Sequence, residues 1–495
     1  MTGITIDARR TGITLVVVSL AIVVGIGGAI LDNAHLGIVG GVALVVAASL
    51  PLIARLRVDP LDGPGIAALI TAFELGVVSL VWLGNPVGAG PGLSRSDITQ
   101  ALLVVALGQL SFTIGARSCG APRPRRRLVL SLRDVPSTGA MVIASAVGVA
   151  GSVLGVLEHS FGYVSGGGGP ASLTEVFALL QSIGGVVALT AALLWFGSGE
   201  RRWGYLMLAF TAIQFAIGFL SGVKAAALAP LVFVLLAYVV AHNRVPVRST
   251  IVLALIALLV VVPLAELYRS ATRTQQESAP QALSQAFSSR HGGLGQALSQ
   301  AYRYGAGRFR NIDSVALIVA RTPSVFPFAG GKDYFALPAI ILVPRALWPQ
   351  KPSLTTGGDF SHTYWEIPSS VQTATPLTQT GDLYRNFGLV GVVVGMLLWG
   401  LAVGAWQRLA WRLHSPRFAV VFIYSLVYTI AGIESDLPEL IAQSAKALPA
   451  VALVAWLLLP GSGGEPGYRA LAGFRAPRRQ QAQPEPRPVL PQRAS

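Results

Sequence analysis

The chain contains 495 residues, of which 53% are hydrophobic and 12% are charged, and its mean hydropathy is +0.62. Soluble domains carry roughly 25% charged residues, so this composition excludes an ordinary soluble protein and indicates an integral membrane protein. The net charge of +15 does not indicate nucleic-acid binding, because the basic residues are spread through loops between apolar segments. The single cysteine, Cys119, excludes an intramolecular disulfide framework and a metal site built from several cysteines.

The apolar segments predict an all-α, polytopic membrane protein with about twelve helices, since crossing the hydrocarbon core takes about 20 apolar residues. The first segment follows Arg9 and Arg10 and lacks a small-residue cleavage site, so we expect an uncleaved helix rather than a signal peptide. The predicted spans are 12–31, 36–54, 65–83, 98–116, 139–157, 173–196, 203–221, 224–241, 249–267, 388–406, 416–433 and 444–460.

The distribution of Lys and Arg predicts which loops face the cytoplasm. With the N-terminus inside, the cytoplasmic segments hold seventeen of these residues and the short outer loops hold only Arg95, Lys224 and Lys446. This asymmetry follows the positive-inside rule through every predicted span. We therefore expect both termini in the cytoplasm and a disordered, Arg- and Pro-rich tail at 461–495.

A long segment at 268–387 separates a bundle of about nine helices, 1–267, from three C-terminal helices within 388–460. It is predicted to lie outside the cytoplasm and to contain short helices, one of which begins near Asp313. Its stretch "DYFALPAIILVP" is too short to span the membrane and is predicted to be re-entrant or interfacial. The stretch "TTGGDF" predicts a turn.

Four stretches in this order resemble bacterial oligosaccharide repeat-unit polymerases, the Wzy-type O-antigen polymerase family. They are "FLSGVKAAALAPL" (219–231), "RFRNIDSVALIVARTPSVFPFAGGKDYF" (308–335), "ILVPRALWPQKP" (341–352) and "TQTGDLYRNFGLVGVVVG" (378–395). The Pro-Arg/Trp-Pro/Lys-Pro stretch is the most specific. The chain departs from the family pattern at Lys224, where arginine is usual, and at Asp382, where glutamate is commoner.

The resemblance implies a metal-independent glycosyltransferase, without a cofactor, in the bacterial cytoplasmic membrane. Its substrates would be glycan repeat units on undecaprenyl pyrophosphate, and its surroundings membrane lipids. It would transfer the growing glycan from its carrier to the next lipid-linked unit. A chain-length regulator and a flippase are candidate partner proteins, and no nucleic acid is expected.

Such a reaction needs cations to neutralise the departing pyrophosphate, for which arginine and lysine are suited. Arg345 and Lys351 are the first candidates, since prolines restrict the backbone around them. Further candidates are Lys224, Arg269, Arg303, Arg310 and Arg385. The alternative for any of these cations is an ion pair with an aspartate such as Asp313, Asp333 or Asp359, or contact with lipid headgroups.

A general base must accept the proton of the acceptor hydroxyl, and His, Asp or Glu usually does so. The candidates are His362, Asp359, Asp382, Glu434 and Asp436. Sugar rings and hydroxyls favour aromatic and amide side chains, of which Trp348, Tyr364, Tyr384 and Asn386 are candidates. An aromatic belt at the membrane surface is the alternative for the tryptophan.

Glu74 falls in the middle of a predicted span, where an ionisable group is functional by default. The alternative is a hydrogen bond within the bundle to Gln181, Gln214 or the backbone.

Three other functions compete with the polymerase. A ligase-like transferase would use the same cluster with a different acceptor. A transporter or flippase of lipid-linked glycans predicts polar groups at the bilayer midplane and internal repeats, whereas the polar residues here concentrate in one loop. A non-enzymatic scaffold would tolerate substitution of Arg345 or Lys351.

Overall fold

The computed structural model describes residues 33–84, 90–122, 136–157, 171–221, 224–261, 264–265, 309–343, 347–348, 354, 356–369, 371, 373–412 and 415–459. Within these ranges every regular element is helical. The predicted all-α class is therefore confirmed, and eight helices have the length and apolar composition of membrane spans.

The N-terminal helices of the described chain are α1 (Ala34–Ile53), α2 (Gly63–Thr71) and α3 (Arg95–Ser118). A wide π turn, Ala72–Gly76, and a 3-10 segment, Val77–Leu83, prolong α2. The Asp62 side chain caps α2 by accepting the backbone N–H of Gly65. Four helices follow: α4 (Thr138–Leu157), α5 (Ala171–Ser198), α6 (Arg201–Leu220) and α7 (Lys224–His242). Then α8 (Val247–Ile256) runs into a π turn at Ala257–Val261.

Three short helices belong to the segment that was predicted as a long loop. They are α9 (Ile312–Arg321), α10 (Lys332–Leu342) and α11 (Thr356–Thr363). Asp313 lies in the first turn of α9, as predicted. The predicted turn at "TTGGDF" is wrong, because residues 356–360 of this stretch begin α11. The Ser361 hydroxyl donates to the Gly357 carbonyl within this helix. The Thr375 backbone N–H donates to Ser361 Oγ, which connects α11 to the extended segment that follows it.

The C-terminal helices are α12 (Gln379–Arg412), α13 (Pro416–Ser425) and α14 (Leu437–Leu458), with a π turn at Leu426–Ile430 after α13. The predicted span began at residue 388, which is where the apolar part of α12 begins. Gly388 has φ +65° and interrupts the helix, so residues 379–387 form a separate helical segment ahead of the apolar part. A turn conformation of this sign favours glycine, which explains why the apolar pattern and the helix begin at different residues.

Eight predicted spans correspond to the eight long apolar helices. The predicted spans 173–196, 249–267 and 416–433 correspond to shorter apolar helices at Ser182–Ser198, Val247–Val261 and Pro416–Ile430. The span at 12–31 and the predicted tail lie outside the described residues.

Helix α3 is central to the part of the bundle that positions the polar residues, because it packs against α1, α12 and α9. Gly115 on α3 lies directly against the backbone of Leu397, and Gly400 on α12 lies against that of Phe112. Small residues allow helices this close an approach in membranes. Helix α9 packs on both α3 and α12 through buried Val315 and Ile318, which brings two of the family-like stretches together.

Candidate functional site

A fully buried aspartate organises the beginning of α12. The Tyr334 hydroxyl donates to Asp382 Oδ2 at 2.5 Å, and Asn386 Nδ2 donates to Oδ1 at 3.0 Å. Arg385 Nη2 lies 3.4 Å from the same Oδ1. The i, i+3 and i, i+4 spacing puts Arg385 and Asn386 on the same helix face as Asp382. Both carboxylate oxygens are therefore engaged inside the protein.

Arg385 lies between two carboxylates, because its Nη2 is also 3.3 Å from Asp333 Oδ2. Its backbone carbonyl accepts the N–H of Ala329, and the Asn386 side-chain oxygen accepts the N–H of Gly331. Gly331 has φ +75° and the Phe387 ring lies where a side chain would project, so glycine is required there. These bonds hold the start of α10 against the start of α12.

A second buried carboxylate, Asp436, stands beside this cluster. It caps α14 by accepting the N–H of Glu439, and the Thr356 hydroxyl of α11 donates to it. Burial raises the pKa of Asp436, while the charge of Arg385 opposes the shift. Burial, followed by the neighbouring Asp382, also raises the pKa of the Tyr334 hydroxyl, which keeps it a proton donor. Helices α10, α11, α12 and α14 thus converge on one polar network.

This network borders a cavity of about 410 Å³. Ligand sites typically measure roughly 300–1,000 Å³. One part of the lining is aromatic: the rings of Phe326 and Phe360 lie 4.7 Å and 5.0 Å from that of Tyr364. The polar part of the lining comprises Lys332, Asp333, Thr356, Asp359, His362, Thr363 and Arg385.

His362 has a defined proton arrangement. Its Nδ1 lies 2.9 Å from the carbonyl oxygen of Ile367. Because a carbonyl oxygen only accepts hydrogen bonds, Nδ1 carries the proton and Nε2 is the nitrogen of the neutral ring that can accept one. His362 therefore combines a fixed orientation with the capacity to act as a base.

The structure brings most of the described candidate residues to this cavity. Asp359, His362, Tyr364 and Arg385 line it, while Asp382, Asn386 and Asp436 lie in the network behind it. Two candidate cations have the ion pairs that the alternative interpretation expects. Arg385 pairs with Asp333 and Asp382, and Arg310 pairs with Asp313 on α9 at 3.7 Å.

Other candidates lie away from the cavity lining. Glu434 contributes its backbone carbonyl to the N–H of Thr378, just before α12. Tyr384 is partly buried beside Phe328, and Trp348 is partly buried. Arg345, Lys351, Arg269 and Arg303 lie outside the described residues, as does the side chain of Lys224 at the start of α7.

Glu74 has a partner that neither interpretation of the sequence anticipated. Its Oε2 accepts a hydrogen bond from Asn311 Nδ2 at 2.9 Å, not from Gln214. Trp82, farther along the same segment, donates to Asp313 at 2.8 Å. The extension of α2 is thus fastened to the beginning of α9, and Glu74 lies close enough to Glu434 for their charges to interact.

Lys332, Tyr334 and Thr356 were not predicted to be site residues, and Asp333 was predicted only as a possible counterion. The stretch 308–335, which ends in "GGKDYF", contained the available signal. Its two glycines at positive φ turn the chain so that Lys332 and Asp333 begin a helix at the cavity.

No curated protein and no solved structure matches this chain. A family model described as Domain of unknown function (DUF8712) matches residues 168–423, a region that contains the whole cavity lining. Since the match covers more than half of the 495 residues, the chain belongs to the DUF8712 family.

Proposed function

We propose that this protein is a membrane glycosyltransferase that polymerises undecaprenyl-pyrophosphate-linked oligosaccharide repeat units at the outer face of the bacterial cytoplasmic membrane. One observation carries the proposal. Two stretches that resemble the Wzy-type polymerases, 308–335 and 378–395, lie far apart in sequence yet supply Lys332, Asp333 and Arg385 to one cavity. That cavity also contains His362 from a third segment.

The lining suits a carbohydrate. Aromatic faces such as those of Phe326 and Tyr364 pack against the apolar faces of sugar rings, and carboxylates such as Asp333 and Asp359 accept hydrogen bonds from hydroxyl groups. A cavity of about 410 Å³ has the size of a small-ligand site, and the rest of a long glycan would extend beyond it.

In the proposed reaction His362 Nε2 accepts the proton of an acceptor hydroxyl. The hydroxyl oxygen forms a bond to the anomeric carbon of the donor glycan as the bond from that carbon to the diphosphate oxygen breaks. The electron pair leaves with undecaprenyl pyrophosphate, whose charge Arg345 and Lys351 would neutralise. Asp382 and Asp436 are buried and already accept hydrogen bonds, whereas His362 and Asp359 line the cavity. His362 is the proposed base because its ring is held in place and its Nε2 can accept a proton.

The proposed membrane orientation rests on the distribution of charge. The segments predicted to be cytoplasmic hold seventeen Lys and Arg residues, and the short loops predicted to be outside hold three. This arrangement would put the termini in the cytoplasm and the cavity on the outer side, where flipped lipid-linked units are available.

The decisive experiment incubates the purified full-length protein with a synthetic undecaprenyl-pyrophosphate oligosaccharide and resolves the products by size. We expect a ladder of multiples of the repeat unit. Arg345→Ala should abolish the ladder at matched protein amounts, whereas Arg202→Ala, which alters an exposed arginine paired with Glu200, should leave it unchanged.

Absence of any product larger than the input would refute the proposed function. Transfer of the intact glycan to a different acceptor, without a ladder, would instead identify the ligase-like activity.

A further inference from the structure

Carboxylates outnumber cations when the cavity lining and the residues directly behind it are taken together. Its two lining cations are Lys332 and Arg385, and its two lining carboxylates are Asp333 and Asp359. A third carboxylate, that of Asp382, lies directly behind the lining and contacts Arg385.

Arg385 contributes little positive potential to the cavity. Its Nη2 already contacts Asp333 at 3.3 Å and Asp382 at 3.4 Å, and only 11% of its side chain is exposed. Two carboxylates around one guanidinium offset its positive charge. Lys332 and Asp359, both exposed, balance each other in number.

Further carboxylates lie behind the lining, close to Arg385. Asp436 at the beginning of α14 interacts electrostatically with Asp382, Asp333 and Arg385, and Glu439 lies close to Asp436. His362 adds no charge when its ring is neutral. The lining therefore has no excess of cations, and the carboxylates behind it disfavour a ligand that carries a negative charge.

We infer that this cavity selects a neutral or amino sugar and discriminates against an acidic sugar such as a uronic acid. This inference rests on the proposed function and narrows its substrate class. It also implies that the cavity holds carbohydrate, while the diphosphate is bound by cations elsewhere, such as the candidates Arg345 and Lys351.

The physical reason is like-charge repulsion. A uronate carboxylate in the cavity would face Asp333 and Asp359, with Lys332 as the lining cation that has no carboxylate contact among the described residues. An ammonium group at the same ring would instead gain a partner. Specificity of this kind arises from a penalty against the wrong ligand as much as from attraction of the right one.

The experiment measures binding of three methyl glycosides with the same ring: glucoside, glucosaminide and glucuronide. The full-length protein is placed in nanodiscs of uncharged phosphatidylcholine, and affinities are obtained by saturation-transfer NMR titration at pH 7 and low salt. We expect the glucuronide to bind about tenfold more weakly than the glucosaminide. Raising the salt concentration should reduce this ratio, because exposed charges are screened.

Substitutions at exposed positions test the cause without threatening the fold. Asp359→Asn should reduce the discrimination against the glucuronide by about threefold, and Lys332→Gln should increase it by a similar factor. The matched control is Glu366→Gln, since Glu366 is an exposed carboxylate on a neighbouring segment that pairs with Arg321 and does not line the cavity. This control should leave the ratio unchanged.

Equal affinity for the glucuronide and the glucoside would overturn the inference, as would equal effects of Asp359→Asn and Glu366→Gln. Failure of all three glycosides to bind would also overturn it. The ladder assay tests the proposed function independently. A ladder without charge discrimination would support the proposed function and refute the inference about sugar charge. Discrimination between the glycosides without glycan transfer would support the cavity as a carbohydrate site and refute the proposed function.

Discussion

Two buried polar clusters lie near opposite ends of α12, and they differ in what surrounds them. Near its end, Gln407 accepts the N–H of Gly63 and donates to Asp59, beside the Arg55–Asp62 ion pair at 2.9 Å. Near its beginning, Asp382 holds Tyr334, Arg385 and Asn386. The cluster around Gln407 joins the end of α1, the start of α2 and α12, and none of its four side chains lines the cavity.

Burial of charge alone therefore does not distinguish a functional cluster from an architectural one. Both clusters have a buried arginine–aspartate contact and a helix start capped by an aspartate, Asp62 for α2 and Asp436 for α14. The difference is that the Asp382 cluster continues through Arg385 into a cavity with Lys332, Asp359 and His362. Buried ion pairs often serve structure, and an adjoining cavity is what makes the second cluster a candidate site.

The largest expected effect separates the two regions by rate. His362→Gln removes the proposed base, and loss of a general base typically costs 10²–10⁴-fold in turnover. We expect a loss of that size in the ladder assay with little change in thermal stability.

The matched control is His242→Gln at the end of α7, where Nδ1 likewise contacts a backbone carbonyl, that of Tyr238, outside the cavity. Equal activity of the two variants would remove His362 from the mechanism.

The next largest effect compares the clusters by stability. Removing one partner of a buried ion pair costs about 3–5 kcal/mol, so Asp62→Ala and Asp382→Ala should both lower the midpoint of thermal unfolding in detergent. Only Asp382→Ala should also lower the rate of glycan transfer per folded molecule, because it releases Tyr334 and Arg385 at the cavity.

If Asp62→Ala reduced transfer per folded molecule as strongly as Asp382→Ala, the functional distinction between the clusters would fail.

The helical class and most apolar segments could be predicted because they depend on local periodicity and composition. Helix boundaries were harder to predict where the conformation of a single glycine determines them. At Gly388 the backbone interrupts a helix whose polar first turns carry the candidate residues, while a hydropathy pattern detects only the apolar part. Within the predicted turn, residues 356–360 instead begin a helix, which hydrogen bonds from Ser361 and Thr375 stabilise despite its glycines.

The candidate site was predicted in part for a different reason. Asp382, Arg385 and Asn386 were predicted by residue type within the family-like stretch "GDLYRNFG", but no helix was predicted there. The helix that begins at Gln379 puts them on one face. The contribution of Tyr334 depends on a contact across 48 residues, and that of Thr356 on a contact across 80. Glu74 likewise found its partner, Asn311, through the packing of α9, which no local pattern encodes.

The smallest expected effect compares the two capping aspartates through pH. Burial raises the pKa of Asp436 from 3.8, and burial raises that of Asp62 to about 6 although Arg55 opposes the shift. A raised pKa means that the stability contributed by the protonated form is complete below about pH 3.8 and is lost as the pH rises through the folded-state value. Asp436→Asn keeps a capping side chain and abolishes this loss, because asparagine caps as well as aspartate.

We expect Asp436→Asn to match the wild type near pH 4 and to have the higher unfolding midpoint at pH 7. Asp62→Asn should behave differently, since it also removes a charged partner of the buried Arg55 and should destabilise at both pH values. Thermal unfolding between pH 4 and pH 7.5 in one detergent checks both expectations. A difference between Asp436→Asn and the wild type that stays constant with pH would show that the Asp436 charge carries no penalty, and that hydrogen bonds from Thr356 and the α14 backbone compensate for its burial.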